Sequence, residues 1–375
     1  MPCGRFTQPT ASMQSDEGSR SAGRLRLEAL WRRGSDLLGT EYAILGGAMT
    51  WVSEHTLVSA ISNAGGFGVI ASGAMSPALL DEQIACTLDA TDKPFGVNII
   101  IMHPELDALI EICCRRGVSH VVLAGGLPAR ASVERIKDCG AKALAFAPAP
   151  VVARKLVRTG IDALIIEGME AGGHTGPVAT SVLAQEILPE VEEVPVFVAG
   201  GIGRGEAIAM YLEMGAAGCQ LGTRFVCATE SIAHPDFKKA FIRAHARDAV
   251  LSVQVDPEFS VIPVRALANA ATKRFVETQH AVIARYRAAK ISQSDAQLEI
   301  ERFWAGALRR AVVDGDIENG SLMAGQSVGM VTREQSVEAI INELVGDARR
   351  ALHRRDEPVS TEAAGLPLIE AVSAG

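Results

Sequence analysis

The stretch Ala163-Leu-Ile-Ile-Glu-Gly-Met-Glu-Ala-Gly-Gly-His-Thr-Gly-Pro177 joins a short apolar run to a loop rich in glycine. The apolar run, residues 163–166, has the length and continuous hydrophobicity of a strand that a parallel sheet buries on both faces. The glycines around His174 give it little steric cover, so its imidazole can face a ligand. Because histidine titrates near neutral pH, the stretch predicts a proton-transfer residue at the end of a buried strand.

The same unit, an apolar run followed by an amphipathic helix, repeats along the chain from Tyr42 onward. Eight such runs recur at intervals of roughly 25 residues, the spacing of a sheet built from βα units. They are residues 42–45, 68–71, 95–101, 120–124, 143–147, 163–167, 196–199 and 218–221. The helical segments between them are residues 54–64, 76–89, 104–116, 130–139, 149–159, 180–188 and 204–214. A count of eight favours an α/β fold of the closed (β/α)8 type, a TIM barrel, over an open doubly wound sheet.

After Phe225 this rhythm ends, which predicts a small helical subdomain inserted after strand eight. The predicted regions are an N-terminal tail and lead-in helix (1–36), the barrel (37–230), a helical subdomain over the barrel mouth (231–318), a return segment and closing helix (319–352), and a mobile tail (353–375). The clearest helices after the barrel are predicted at 238–247, 266–289, 295–312 and 333–352. The N-terminal tail is expected to be disordered up to about residue 23, because its polar residues show no periodicity.

Composition excludes several classes of protein. A net charge of −8 argues against a nucleic-acid binder, which needs a basic face. The seven cysteines lack metal-ligand spacing, so no metal site is predicted, and reduced thiols in a cytoplasmic protein are expected. No apolar run approaches the ~20 residues of a membrane span, and the N-terminus lacks the apolar region of a signal peptide. The oligomeric state stays open, a homo-oligomer included.

Two strand ends are candidates for binding an anionic group. Ala199-Gly-Gly-Ile-Gly203 leads into a helix, so its backbone N–H groups and the helix start suit a phosphate. Gly222 and Thr223 add amides and a hydroxyl at the next strand end, where TIM barrels often bind phosphate. Ordinary glycine turns are the alternative interpretation. A dinucleotide fingerprint is rejected, because Glu206 stands where the third glycine of that motif belongs.

Small and polar residues at the first three strand ends suit a flat heterocycle. Gly47, Ala48 and Met49 follow the first strand, where small residues let a ring approach the backbone. Ser72 follows the second strand. Asn98 interrupts the third strand, and its buried amide needs partners that a heterocycle provides. The alternatives are tight turns without a ligand, and bonds from Asn98 to neighbouring backbone only.

Further candidates lie in the histidine loop and near the carboxyl end of the chain. Gly172, Gly173 and Glu167 are assigned to the same candidate cofactor site. Glu167 and Glu170 are also candidates for assisting the histidine, with simple solvation as the alternative for Glu170. Gln326, in a glycine-rich return, is a further candidate for ligand contact.

Together these motifs resemble the nitronate monooxygenase (2-nitropropane dioxygenase) family, which includes the flavin-dependent enoyl-ACP reductase II branch. The resemblance runs from about Tyr42 to Leu352. It is carried by GGAMTWVS (46–53), NAGGFGVI (63–70), KPFGVNI (93–99), EGMEAGGHTG (167–176), VAGGIG (198–203), GTRFVCATES (222–231) and GSLMAGQSVGMV (320–331). It implies a TIM barrel that binds FMN non-covalently, with His174 at the position of the family's catalytic histidine.

The resemblance also implies roles for the strand-end residues. Those implied to hold the phosphate of FMN are Gly200, Gly201, Gly222 and Thr223, and those implied to lie around its isoalloxazine ring are Ala48, Met49, Asn98 and Gln326. Many relatives carry Gln-Gly-Gly-Met at the first strand end, where this chain has Gly46-Gly-Ala-Met49. Contacts at the reactive edge of the ring are therefore the part of the site that the resemblance defines least.

The resemblance implies an FMN-dependent oxidoreductase with a small-molecule substrate. The first prediction is a nitronate monooxygenase, which oxidises alkyl nitronates with O2 to a carbonyl compound and nitrite. The alternative is an NAD(P)H-dependent enoyl-ACP reductase, whose substrate is an enoyl thioester on acyl carrier protein. A flavin-binding protein without turnover is the third interpretation. In both enzymes His174 would bind the substrate or transfer a proton, and the order of the two rests on family likeness alone.

Overall fold

The centre of the molecule is a closed barrel of eight parallel strands, seen in a computed structural model that describes residues 11–259 and 262–356. In chain order the strands are β1 Ile44–Gly46, β2 Gly68–Ala71, β3 Phe95–Ile100, β4 His120–Ala124, β5 Lys142–Phe146, β6 Ala163–Glu167, β7 Gly173–His174, β8 Val196–Ala199, β9 Gly218–Leu221, β10 Ala249–Leu251 and β11 Val264–Leu267. The barrel strands pair in parallel in the order β1-β9-β8-β6-β5-β4-β3-β2. A parallel bridge from Leu45 to Phe67 closes the ring between β1 and β2.

Helices alternate with the barrel strands and cover them on the outside. In chain order the α-helices, including those of the insert after β9, are α1 Ala11–Leu38, α2 His55–Asn63, α3 Pro77–Ala90, α4 Leu106–Arg115, α5 Arg130–Asp138, α6 Pro150–Thr159, α7 Thr180–Ile187, α8 Gly205–Glu213, α9 Thr223–Val226, α10 Pro235–Arg243, α11 Ala270–Arg287, α12 Gln293–Val312 and α13 Val337–Asp356. Local signals set several of these ends. The Ser76 hydroxyl accepts a hydrogen bond from the Leu79 N–H at the start of α3, and Gly160 ends α6 at φ 95°. The (β/α)8 barrel predicted from the sequence is confirmed.

Aliphatic side chains fill the barrel, as the high hydrophobic and low aromatic content predicts. Val122, Leu144 and Ile165, from three neighbouring strands, are at most 1% exposed. Burial of each such side chain contributes about 1.5–3 kcal/mol to folding. Because the interior is filled, a ligand must bind at an open end of the barrel, and TIM barrels use the carboxyl ends of the strands.

The inserted residues 231–318, which we call the lid, contain a small antiparallel sheet in addition to helices. Its strand order is β10-β11-β7, so the lid pairs with the strand that carries His174. The prediction of a mostly helical insert is therefore wrong for β10 and β11. The helix predicted from residue 266 begins at Ala270 instead. Strands of three and four residues are too short to show the alternation that separates a strand from a helix.

The N-terminal helix is longer than the sequence predicts. Residues 11–23 were expected to be disordered, but α1 begins at Ala11 and packs against α13 and α8. Its buried contacts include Leu27 and Trp31, which are at most 1% exposed. At the other end, α13 continues to Asp356, so the first four residues of the predicted mobile tail, 353–356, are helical instead. Residues 1–10 and 357–375 lie outside the described residues.

The structure also corrects the expectation that all cysteines are reduced thiols. Cys114, near the end of α4, is bonded to Cys139, which follows α5, and their Cα atoms are 5.4 Å apart. That separation lies within the range of disulfides. The free cysteines of the described residues are Cys86, Cys113, Cys219 and Cys227. Cys3 lies outside the described residues.

Candidate active site

The loop after β1 is a compact turn held together by Ser53. The Met49 N–H donates to Ser53 Oγ over 3.0 Å, and that hydroxyl donates to the carbonyl of Gly47 over 2.9 Å. Within the turn, Trp51 has φ 68°, a left-handed conformation that is uncommon for an aromatic residue. The turn leaves Ala48 and Met49 half-buried at the carboxyl end of the barrel.

Trp51 also links this turn to the lid. The guanidinium carbon of Arg309, in α12, lies 5.8 Å from the centre of the Trp51 ring. This distance is within the range of a cation–π contact. The lid therefore contacts the barrel mouth at Trp51 as well as at β7.

Ser72 and Asn98 are joined at the ends of β2 and β3. Ser72 Oγ donates to the Asn98 carbonyl over 2.6 Å, and Asn98 Nδ2 donates to the Val122 carbonyl over 3.0 Å. Both side chains are buried. Bonding to neighbouring backbone, one of the two interpretations of Asn98, is thus observed for its nitrogen. Its Oδ1 has no hydrogen-bond partner in the described part of the chain and can accept one from a ligand.

Two consecutive glycines follow β8 in left-handed conformations. Gly200 has φ 98° and Gly201 has φ 72°. Thr180 Oγ1 lies 3.2 Å from the Gly200 carbonyl oxygen, and a Cβ at Gly200 would lie only 2.9 Å from Thr180 Oγ1. Only glycine fits this position without strain. Successive amides in such a turn form a concave surface of the kind that binds anions.

The start of α8 packs closely against residues near the carboxyl end of the chain. A Cβ at Gly205 would overlap the carbonyl oxygen of Leu344 in α13. A Cβ at Gly203 would lie 2.7 Å from the end of the Met330 side chain. These glycines allow that close packing, and binding of an anion by the helix start stays a prediction.

The return segment crosses the mouth between the end of β9 and the histidine loop. The Gly325 N–H donates to Thr223 Oγ1 over 2.9 Å, and the Gln326 N–H donates to the Glu170 carbonyl over 2.9 Å. A Cβ at Gly172 would lie 2.5 Å from the Gly325 nitrogen. These contacts bring together four predicted positions from three separate segments: Thr223, Glu170, Gly172 and Gln326.

His174 lies on β7, and the lid sheet holds its backbone. It pairs with Val264 of β11, and the next residue, Thr175, donates its N–H to the Pro263 carbonyl over 3.0 Å. Gly173 beside it has φ 81°, which permits the turn into the strand. The His174 side chain is exposed at the rim. The sequence predicts a loop position for this histidine, and the structure adds a β-pairing that fixes it.

Two titratable groups at this rim have shifted pKa values. Burial lowers the pKa of His174 below its ordinary value, so its imidazole is neutral near pH 7 and can accept a proton. Burial raises the pKa of Glu167, at the end of β6, to about 8, so this carboxyl is mostly protonated at neutral pH. Both side chains still reach solvent at the mouth. Surrounding protein atoms, rather than complete enclosure, cause the shifts.

Glu170 caps α7. Its Oε2 accepts hydrogen bonds from the Thr180 N–H over 2.8 Å and from Thr180 Oγ1 over 2.7 Å. A Cβ at Gly201 would lie 3.1 Å from the Glu170 Cβ. Glu170 therefore connects the histidine loop to the glycine loop after β8, a role that differs from both sequence interpretations.

Two residues at the site were missed by the sequence analysis. Gln220, within β9, is 8% exposed, and its side chain would lie 3.5 Å from a Cβ at Gly47. The side chain of Gln220 has no hydrogen-bond partner among residues 11–259 and 262–356. Its signal was present, because a polar residue interrupts an apolar strand there just as Asn98 does in β3. Arg265, in β11, had no usable signal, because the insert was predicted to be mostly helical, with a helix beginning at residue 266 and no strand before it.

The predicted residues thus converge on one rim, formed by the ends of β1, β2, β3, β6, β8 and β9, the histidine loop and the return segment. The ends of β4 and β5 carry none of them. No cluster of three or more His, Cys, Asp or Glu side chains suited to a metal occurs in the described ranges. None of the helices in the part that the structure describes combines the length and hydrophobicity needed to cross a membrane.

Known proteins of similar sequence include a carboxyl-CoA dehydrogenase and a probable nitronate monooxygenase. A (3aS,4S,5R,7aS)-5-hydroxy-7a-methyl-1-oxo-octahydro-1H-indene-4-carboxyl-CoA dehydrogenase of Mycobacterium tuberculosis is 33% identical, over 84% of this chain and 95% of its own. A probable nitronate monooxygenase of Staphylococcus saprophyticus is 25% identical, over 86% of this chain and 99% of its own.

Solved structures and a family model also match most of the chain. FabK from Thermotoga maritima has a TM-score of 0.78 and 36% identity, covering 86% of this chain and 97% of its own. Nitroalkane oxidase from Streptomyces ansochromogenes has a TM-score of 0.69 and 26% identity, covering 84% of this chain and 98% of its own. The model of the nitronate monooxygenase family matches residues 32–347. Because this match spans the whole barrel, the lid and the return segment, the chain belongs to the nitronate monooxygenase family.

Proposed function

We propose that the protein is an FMN-dependent oxidoreductase in which His174 transfers a proton to or from the bound substrate. The observation that carries the proposal is the place of His174: its side chain is exposed at the barrel mouth, two residues after Gly172, which packs against the return segment. The lowered pKa of the imidazole is consistent with a base. A base at the open end of a barrel, beside anion-binding loops, is the arrangement expected of an active site.

The residues at the mouth fit FMN in three respects. The left-handed glycines at 200 and 201 leave backbone amides uncovered by side chains, which suits a phosphate. The side-chain oxygen of Asn98 and the side-chain amide of Gln220 belong to buried residues and have no hydrogen-bond partner in the described ranges, which suits a heterocycle rich in donors and acceptors. Ala48 and Met49 offer an apolar surface for a flat ring.

Bound FMN would supply the electron transfer, and the protein would bind the substrate, orient it and move the proton. His174 would accept a proton from a substrate carbon during oxidation and return one during reduction. Glu167 is mostly protonated at neutral pH, so it would donate a hydrogen bond to an oxygen at the site. The lid would exclude water from this side of the mouth.

We infer that the substrate is an acyl thioester, with NAD(P)H as the second redox partner. Identity supports this choice, because the relatives at 33% and 30% are dehydrogenases of a carboxyl-CoA ester. Those named as probable nitronate monooxygenases are 24% and 25% identical. Nitronate oxidation, first in the sequence analysis, is the second candidate and is supported by the likeness to nitroalkane oxidase. A neutral nitroalkane, the conjugate acid of a nitronate, and a saturated acyl thioester both carry an acidic C–H next to an electron-withdrawing group, so one base serves either.

His174→Ala tests the role of the histidine. We expect the variant to retain FMN and to lose about 100-fold or more in turnover, the usual contribution of a general acid or base. His280→Ala is the matched control, because this exposed histidine lies on α11 of the lid. Full turnover by His174→Ala would remove the histidine from the mechanism. A wild-type protein that binds FMN but turns over none of the substrates below would be the flavin-binding protein without catalysis.

Anaerobic mixing separates the substrates. Reduction of the flavin by NADH or NADPH, followed by its reoxidation by an enoyl-CoA such as crotonyl-CoA, supports the thioester. Reduction by propionate 3-nitronate, with no response to either nicotinamide, supports nitronate oxidation and contradicts the thioester. Flavin absorbance is the measured signal in both experiments.

A further inference from the structure

The histidine loop is a closed unit with His174 near its tip. At its base, the Met169 N–H donates to the Val178 carbonyl over 2.7 Å. Across its middle, Thr175 Oγ1 donates to the Gly168 carbonyl over 3.2 Å. These bonds shape the loop, but they do not fix its position over the barrel, because all of the groups involved belong to the loop itself.

Arg265, which is part of the lid, connects the histidine loop to another lid strand, β10. Its Nε donates to the Met169 carbonyl over 2.9 Å, and its Nη1 donates to the Ala249 carbonyl over 2.5 Å. In the lid sheet the backbone of Arg265 stands opposite Gly173. One residue therefore contacts the loop at its base and also beside its tip. Arg265 is only 4% exposed.

A charge buried this deeply is stable only with compensating partners. Burial lowers the pKa of Arg265, and the nearby Glu170 carboxylate opposes that shift. The Glu170 carboxylate is fixed in turn by its two bonds from Thr180, and its carbonyl accepts the Gln326 N–H. The guanidinium is thus bonded to the loop and to the lid, and it interacts electrostatically with the carboxylate that accepts hydrogen bonds at the start of α7.

We propose that Arg265 is a positioning residue that holds the His174 loop in place over the glycine loops of the barrel. The proposal rests on the proposed function of His174. Its consequence is that the lid and the histidine move together, because the same side chain donates to Met169 in the loop and to Ala249 in the lid. A loop displaced by about 1 Å would cost a large factor in rate, since proton transfer depends steeply on geometry.

The test is kinetic and uses the FMN-loaded enzyme. Arg265→Met removes the N–H donors at similar length, and we expect kcat to fall on the order of tenfold to a hundredfold. KM and the Kd of FMN should stay within about threefold, because the binding groups are untouched. Arg265→Lys should recover part of kcat, because its ammonium can donate to one of the two carbonyls. Arg285→Met, which removes an exposed arginine paired with Glu299 on the lid, should leave kcat unchanged.

Hydrogen exchange followed by mass spectrometry supplies a readout that does not depend on catalysis. In the FMN-loaded Arg265 variants, amides of residues 168–175 should exchange faster, whereas those of β4 should exchange as in the wild type. Unchanged kcat together with unchanged exchange of the loop would overturn the proposal, and so would faster exchange throughout the molecule. If Arg265→Met does not fold, kcat and hydrogen exchange of the Arg265→Lys variant test the proposal instead. Should His174→Ala keep full turnover, the proposed function fails, while exchange still tests whether Arg265 holds the loop.

Discussion

At Gly172, the absence of a side chain lets the histidine loop and the return segment touch. A Cβ there would lie 2.5 Å from the Gly325 nitrogen and 2.7 Å from the Ala324 carbonyl carbon, backbone atoms that cannot rotate away. Gly172→Ala should therefore lower the free energy of unfolding by about 1–3 kcal/mol, the usual cost of overpacking, and weaken FMN binding. Chemical denaturation and FMN titration measure the two effects. Gly176→Ala is the control, because a Cβ at Gly176 meets no heavy atom within 4 Å. Equal losses in both variants would contradict the prediction.

The Glu167 carboxyl predicts a pH dependence of stability. Its pKa is about 8 in the folded chain, above its ordinary value of about 4.3 in an unfolded one. The folded state binds more protons between these values, so the free energy of unfolding falls as pH rises through this window and levels off above about pH 8. Glu167→Gln cannot titrate and should remove this fall, which is on the order of a few kcal/mol.

Urea denaturation of the flavin-free protein at several pH values between about 5 and 9 checks this prediction. The exposed Glu186 provides the control variant Glu186→Gln, which should keep the slope of the wild type. If Glu167→Gln keeps that slope as well, the carboxyl is not the group responsible.

Site residues could be predicted from the sequence where their immediate neighbours in the chain mark them out. The glycines at 200 and 201 follow an apolar strand, and Asn98 interrupts one, so both stood out. Gln220 carries the same signal as Asn98 and was readable in principle. Arg265 was not, because the carbonyl that it binds is 96 residues away along the chain. A contact of that kind exists only after the barrel and the lid have folded together.

Among the elements, the barrel strands were predictable and the lid strands were not. The barrel strands β2, β4, β6, β8 and β9 have the bounds that their apolar runs predict. They are buried on both faces, so hydrophobicity alone marks them. Strands β7, β10 and β11 have two to four residues and are stabilised by partners distant in sequence. Pairing, rather than local pattern, determines such strands.

The bond between Cys114 and Cys139 joins the carboxyl ends of α4 and α5, which are neighbours on the outside of the barrel. It closes a loop of 25 residues, and a crosslink of this span restricts the unfolded chain enough to stabilise the fold by about 3 kcal/mol. Reduction of this disulfide should therefore lower the free energy of unfolding by about 3 kcal/mol, which denaturation with and without dithiothreitol measures. The double variant Cys114→Ser/Cys139→Ser should show no response to the reductant. A wild type that responds no more than this variant would contradict the prediction.

For the molecule as a whole, the two ends of the chain stabilise one core. Helix α1 packs against α13 and α8, and the buried cluster that contains Trp31 also contains barrel residues and Leu352. The sequence analysis missed the first half of α1 because the segment is mostly polar and shows no apolar periodicity. Packing of α1 against α13, at the other end of the chain, is a long-range contact that no local window shows.

Trp31→Ala tests whether α1 is part of this core. Trp31 is 1% exposed, and its ring centre lies 5.6 Å from that of Tyr42, so its removal should cost about 3–5 kcal/mol. Because the cluster is continuous, we expect one lower melting transition in which circular dichroism and flavin fluorescence change together. Leu25→Ala is the matched control in the same helix, since Leu25 is 63% exposed and should change stability by less than about 0.5 kcal/mol. If the variant instead loses part of its helical signal in a separate early transition while flavin stays bound, α1 is an appendage and the barrel folds without it.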